Sequence, residues 1–189
     1  MESNLIPQRR SARLAMAITI VSFSIFFITA LISYAVVWNI SKGAWHLGEG
    51  GGLPWPVYVA TGILLCGSLA AAKLSTAERA GKSSGVLQRG LLRLVLLGIA
   101  FLLVQALAWM LLTARLLSPA AKNMVAFTFY MLTGLHALHV IAGVLGTLIL
   151  WRVYGKNSHF SVWIGPCAWY WHFMDLSWLV FLGVMAVTM

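Results

Sequence analysis

Four ionisable side chains lie inside two long apolar stretches of this sequence. His136 and His139 belong to the stretch around residues 129–143, and His172 and Asp175 belong to the stretch around residues 169–178. In hydrocarbon a carboxylate costs roughly 2.5 to 3.5 kcal/mol even on lenient insertion scales. We therefore expect Asp175 to face protein and to have a partner.

The spacing of these residues predicts how they are displayed. Residues three apart share a face of a helix, so His136 and His139 project together, as do His172 and Asp175. We expect one buried hydrogen-bonded cluster in which an imidazole N–H meets the Asp175 carboxylate. Thr133 or a tryptophan N–H would complete this structural cluster.

Other chemistry for the same residues can be weighed on geometry. Axial ligation of haem needs imidazoles on opposite faces of the porphyrin, which His136 and His139 cannot both supply from one helix face, although His172 with one of them could. Three imidazoles and a carboxylate could bind zinc or iron if they converged on one point. Proton conduction favours a series of acids, and these stretches hold only Asp175. We assign no catalytic, cofactor-binding or metal-binding residue.

The composition defines the class of protein that positions these groups. Hydrophobic residues make up 61% of the chain and charged residues 9%, whereas a soluble domain carries about a quarter charged residues. The chain is therefore an integral membrane protein. Its formal charge of +9 comes from basic residues that lie between the apolar stretches. We therefore expect these residues to contact anionic lipid rather than nucleic acid.

The apolar stretches predict an all-α fold with five transmembrane helices in a single bundle. We place them at about 14–38, 54–74, 91–114, 123–151 and 161–188. A polar arm, 1–13, precedes the bundle of 14–189, and the first stretch is too long for a signal-peptide core, so we expect it to remain as a span. The glycine-rich residues 48–52 are expected to form a flexible loop.

The distribution of lysine and arginine predicts the orientation. The N-terminal arm and the second and fourth connections between spans lie on one side of the membrane, and ten of these residues fall on that side. Three fall on the other side: Lys42, Arg115 and Lys122. The positive-inside rule places the N-terminus in the cytoplasm and the C-terminus outside.

Small residues on the fourth span indicate close helix packing. Gly134, Gly143 and Gly146 lie near the histidines, and small residues let a second backbone approach. Cys66 and Cys167 form no metal-ligand spacing and fall in apolar stretches, so we interpret them as small core residues.

Charged and aromatic side chains suggest contacts with lipid. Arg93, near the start of the third span, can extend its guanidinium to the head groups. Trp169, Trp171 and Trp178 are interpreted as possible lipid or interface contacts, since tryptophan often anchors helices at membrane boundaries.

Two motifs together closely resemble a known family. The stretch 133–143, TGLHALHVIAG, and the stretch 168–178, AWYWHFMDLSW, resemble subunit III of the haem-copper terminal oxidases, which include cytochrome c oxidase and ubiquinol oxidase. The stretch 97–106 is similar to the family's preceding helix. Five spans resemble the short bacterial form of this subunit.

The resemblance implies a non-catalytic subunit in a bacterial cytoplasmic membrane. It implies partners that are oxidase subunits I and II, with haem and copper held by those partners and none by this chain. It also implies phospholipid binding and support of proton uptake and turnover stability. His136, His139, His172 and Asp175 carry over as an intramembrane cluster with a structural role.

Two positions depart from the family pattern, and alternatives stay open. Phe23 and Ala108 stand where the family often has acids, which puts a proton-antenna role in doubt. A subunit III-like accessory protein of a nitric oxide reductase is one alternative. A stand-alone membrane haem or metal protein that uses the intramembrane histidines is the other.

Overall fold

Five long helices dominate the structure, a computed structural model that describes residues 5–40, 53–116, 124–155 and 158–188. Each contains a stretch long and apolar enough to cross a membrane. The five-span, all-α prediction is confirmed, and the chain is a multi-pass membrane protein. The helices are α1 (Leu5–Ile40), α2 (Pro56–Arg79), α3 (Ser84–Leu116), α4 (Met124–Tyr154) and α5 (Ile164–Thr188), with a 3-10 helix (Ser158–Trp163) before α5.

Most of the helices extend further than hydropathy indicated. Helix α1 begins at Leu5, so described residues of the predicted polar arm form its first turns. Hydropathy marks only the part of a helix that crosses hydrocarbon, whereas backbone hydrogen bonding continues into the polar boundary. The glycine loop at 48–52 and three lysines of the orientation count, Lys42, Lys122 and Lys156, lie outside the described residues.

A tight turn joins α2 to α3. Gly81 adopts a positive φ of 63°, which costs glycine nothing because it has no Cβ. The Lys82 amide donates to the Ala77 carbonyl and the Gly81 amide to the Glu78 carbonyl, both at 3.0 Å. This pair of bonds is the Schellman motif that ends many helices, and it turns the chain so that α2 and α3 pack side by side.

The helices form a bundle in which α2 packs against both α3 and α5, and α3 packs against α4. Large side chains fill its centre, including Phe101, Trp171, Met174 and Trp178. Helix α1 lies along α5 at the edge of the bundle, and only 11% of its most apolar stretch is buried within the chain. Most of its surface therefore faces outward.

Polar contacts hold α1 near its two ends. Arg9 Nη2 lies 2.7 Å from Glu78 Oε1 on α2. At the other end the Tyr34 and Thr188 hydroxyls share a hydrogen bond of 2.5 Å. Between them Phe27 packs against Phe181 of α5, with ring centroids 5.3 Å apart.

Candidate functional site

His136 of α4 lies fully buried inside a box of aromatic rings. Its ring centroid is 5.1 Å from that of Trp178, 5.7 Å from Phe101 and 6.0 Å from Phe181. Neither ring nitrogen has a hydrogen-bond partner among the residues that the structure describes. The aromatic box contacts the imidazole only through ring faces and edges.

His139, one turn away, is held by its own helix. Its Nδ1–H donates to the Leu135 carbonyl at 2.7 Å, which settles that nitrogen as the donor because a carbonyl can only accept. The ring packs edge-on against Phe23 of α1 at 4.3 Å. The His139 carbonyl accepts the Tyr170 hydroxyl at 2.7 Å, which joins α4 to α5.

Asp175 turns toward α2 rather than toward the histidines of α4. The carboxyl interacts with the Ser68 hydroxyl and with His172 one turn earlier. Ser68 and His172 Nδ1 share a hydrogen bond of 2.6 Å. Asp175 is only 8% exposed, and within the described part of the chain its Oδ1 has no hydrogen-bond partner.

Among the described residues, the four ionisable side chains therefore form separate groups rather than the single cluster that we expected. The structure brings His172 and Asp175 together with Ser68. His136 instead lies among aromatic rings of α3 and α5, and His139 packs against α1. Helical spacing fixes which residues share a face, but not the rotation of one helix against the next. The expected contact between an imidazole N–H and Asp175 is not made by His136, because neither of its ring nitrogens has a partner within the described residues.

Thr133 takes part in a different kind of contact, which repeats three times between helices. In each, an indole N–H donates to a threonine hydroxyl, which itself donates to the carbonyl four residues earlier. The pairs are Trp109–Thr133 at 3.0 Å, Trp171–Thr147 at 3.1 Å and Trp178–Thr61 at 2.9 Å.

Two of the tryptophans interpreted as lipid contacts are in fact core residues. Trp171 and Trp178 are each 2% exposed, since their N–H groups find acceptors inside the bundle. Trp169 is 40% exposed, and Arg93 is also exposed, as lipid contact would need.

Only one of the three predicted packing glycines is in close contact. A Cβ added to Gly143 would lie 2.6 Å from Tyr170 Cε1, whereas at Gly134 and Gly146 no described residue lies within 4 Å of that position. Close packing is therefore found at Gly143, whereas at Gly134 and Gly146 the described residues leave the approach open. A close approach that the sequence analysis missed is Gly98 of α3, where an added Cβ would lie 2.7 Å from Trp171 Cη2.

Several polar side chains of the interior were missed. They are Ser68, Thr61, Thr147 and Gln105. Each is a polar residue well within an apolar helix, and this position in the sequence could have identified it. Gln105 is 1% exposed, and neither atom of its amide has a partner in the described residues.

Metal-ligating residues are dispersed. Across the described residues, no three His, Cys, Asp or Glu side chains gather in a way that could hold a metal ion. Cys66 and Cys167 are free thiols, and Cys66 is exposed rather than part of the core.

The two positions that depart from the family pattern hold apolar side chains, and one of them, Phe23, lies against the site. Phe23 packs on His139 and, at 6.2 Å, on Tyr170. Ala108 is fully buried on α3. At these positions the chain therefore presents an aromatic ring and a methyl group to its neighbours.

An apolar cleft of about 540 Å³ opens between α1 and α4. Phe23, Gly143 and Gly146 line it near the histidines, and Phe160 and Trp163 line its other end. It exists because α1 packs closely on α5 but only sparsely on α4.

Comparison with known proteins agrees with these motifs. The sequence model for cytochrome c oxidase subunit III matches residues 6–187. Cytochrome c oxidase subunit 3 of Spodoptera frugiperda is 38% identical over 96 residues, 48% of this chain and 61% of that protein. The Drosophila yakuba protein of the same name is 38% identical over 96 residues, 48% of this chain and 34% of its own length.

A cyanobacterial relative extends this comparison. Cytochrome c oxidase subunit 3 of Synechocystis sp. is 45% identical over 64 residues, 31% of this chain and 27% of that protein. In these three alignments the chain spans between about a quarter and three fifths of the relatives' length. Because the family match covers nearly all of the sequence, this chain belongs to the cytochrome c oxidase subunit III family.

Proposed function

We propose that this protein is the accessory subunit III of a respiratory haem-copper oxidase that reduces dioxygen to water. The catalytic subunit I and subunit II would hold the haem and copper, while this chain would carry no redox centre. It would act as a membrane scaffold that supports proton uptake and keeps subunit I stable during turnover. The observation that carries the proposal is the family match over residues 6–187.

The geometry of the interior supports a structural role for the polar residues. His139 is bonded to its own helix, His136 is enclosed by aromatic rings, and His172 pairs with Ser68. Three imidazoles that point to different neighbours position helices against one another. They do not converge as the ligands of one metal or one haem would.

The cleft between α1 and α4 supports the proposed binding of phospholipid. Its lining is almost wholly apolar, and its volume of about 540 Å³ suits part of an acyl chain. Trp163 at one end is partly exposed, where an indole can meet the head-group region.

We further infer a location in a bacterial cytoplasmic membrane, with the N-terminus inside. The uneven distribution of lysine and arginine supports this orientation. A relative in Synechocystis sp. supports the bacterial origin.

The test is to purify the tagged chain from native membranes in mild detergent. We expect haem- and copper-containing subunits to co-purify and the preparation to consume dioxygen. Stoichiometric haem on the isolated chain would overturn the proposal in favour of a stand-alone cytochrome. Nitric oxide consumption without dioxygen consumption would assign the chain to a nitric oxide reductase instead.

A further inference from the structure

The group formed by Ser68, His172 and Asp175 lies near the middle of the membrane. Ser68 is near the centre of α2 (Pro56–Arg79), and the other two residues are near the centre of the apolar stretch Phe160–Thr188. The hydrocarbon core is about 30 Å thick, so head groups lie about 15 Å away from its midplane. An imidazole at this depth is too short to reach them.

His172 is nevertheless exposed on the outside of the bundle. Its Nδ1 is bonded to Ser68 at 2.6 Å, and its Nε2 has no hydrogen-bond partner among the described residues. Lipid tails offer no hydrogen bond, so an imidazole facing them leaves Nε2 unsatisfied at a cost that membrane proteins rarely accept. This position requires a neighbour that supplies a hydrogen bond at mid-depth.

The surface around His172 has the pattern of a helix-packing face. Six of the exposed residues on α5 recur at alternating spacings of three and four, and we call these six the α5 stripe: Trp169, His172, Leu176, Leu179, Gly183 and Ala186. Such spacing forms the straight seam along which two helices pack at a small crossing angle. At Gly183 none of the described residues lies within 4 Å of an added Cβ, so a second backbone can come close.

We propose that the α5 stripe docks a transmembrane helix of the oxidase's catalytic subunit, which presents a hydroxyl or amide side chain to His172 Nε2. A hydroxyl or an amide can donate or accept, so either suits both tautomers of His172. Ser68 and Asp175 position the imidazole from behind. This inference rests on the proposed function, because it takes the partner from the oxidase.

The test uses a photoreactive benzophenone amino acid at Leu176, with Leu138 as the matched control. Both leucines lie near mid-span and both are 62% exposed, but Leu138 lies on α4, outside the stripe. After irradiation of native membranes, we expect the Leu176 variant to form an adduct with the haem-bearing subunit. We expect the Leu138 variant to form mainly lipid adducts.

The outcomes separate the docking face from the proposed function. If the haem-bearing subunit co-purifies but the Leu176 variant captures only lipid or a second copy of this chain, the docking proposal fails and the proposed function stands. If no haem-bearing subunit co-purifies with the unmodified tagged chain, the proposed function itself fails.

Substitution of His172 gives an independent measurement. His172→Leu should lower the haem retained per chain after a detergent wash by about fivefold, the effect of one lost interhelical hydrogen bond. His172→Gln keeps a hydrogen-bonding group and should restore most of the retention. Equal retention in the leucine and wild-type proteins would overturn the docking contact, and so would equal losses in the leucine and glutamine variants.

Discussion

At the scale of single residues, indole-to-threonine hydrogen bonds fasten the helices of this bundle together. Each satisfies a tryptophan N–H that would otherwise be buried in hydrocarbon, and each leaves the threonine hydroxyl bonded to its own helix. Interhelical hydrogen bonds in membranes are each worth about 0.6 kcal/mol on average and up to about 1.7 kcal/mol. Three of them therefore contribute substantially to a fold with little hydrophobic drive between helices.

Trp171→Phe tests one of these bonds. The change removes the donor to Thr147 and should destabilise the chain by about 1 kcal/mol, while most of the ring volume remains. The measurement is the thermal unfolding midpoint of the purified protein in detergent. Trp169→Phe, at a half-exposed position, is the control and should leave the midpoint unchanged. Equal midpoints for the two variants would show that the bond contributes nothing.

The glycines of α4 make a second contrast at this scale. In Gly143→Ala the new methyl would meet the Tyr170 ring at 2.6 Å, and that ring is held by its bond to the His139 carbonyl. We expect a loss of about 1 to 3 kcal/mol from overpacking. Gly146→Ala meets open space and should be neutral or stabilising, since alanine favours helix over glycine. Unfolding midpoints of the two variants in detergent decide the comparison.

At the scale of helices, α1 is the element most loosely joined to the rest. It shares the Arg9–Glu78 ion pair, the Tyr34–Thr188 bond and an aromatic seam along α5, while the cleft separates it from much of α4. An element with so little buried surface opens more readily than the central helices. Its outward face, which includes Ile18, Ile25 and Ile32, is suited to lipid or to another chain.

Glu78→Gln tests the ion pair that tethers the start of α1. Arg9 is 43% exposed and Glu78 is 8% exposed, so solvent screening limits the effect to about 1 kcal/mol or less. We expect faster amide hydrogen exchange in the first turns of α1, with the difference shrinking at high salt. Arg10→Gln, which changes a neighbouring exposed arginine, is the control. An identical exchange rate in Glu78→Gln and wild type at low salt would contradict the tether.

At the scale of the whole molecule, the charge distribution predicts which ends of the helices face the cytoplasm. The α2–α3 turn at Ser83 lies beside Lys82 and Arg79 and should be cytoplasmic, whereas Trp55 at the start of α2 should lie outside. Cysteines introduced at Ser83 and Trp55, in a chain whose Cys66 and Cys167 are replaced by serine, report this directly. A membrane-impermeant maleimide should label position 83 only in inside-out vesicles and position 55 only in right-side-out ones. The reverse pattern would invert the proposed topology.

The class of fold and the family could both be predicted from the order of residues. Long apolar stretches must form helices in a membrane because hydrocarbon leaves backbone groups no other partner, so five spans follow from composition and spacing alone. The motifs around His136 and His172 identified the subunit III family, which the match over residues 6–187 confirmed.

Which polar groups meet depends on how the helices pack against one another. Hydropathy gives the depth of a residue in the membrane, but the rotation of each helix about its axis depends on packing, such as Tyr170 against Gly143 and Trp171 against Gly98. That rotation turns Asp175 toward Ser68, encloses His136 in aromatic rings and buries Trp171 and Trp178 in the core. Side-chain fit between neighbouring helices sets these angles, and such fit cannot be deduced from the order of residues along one helix.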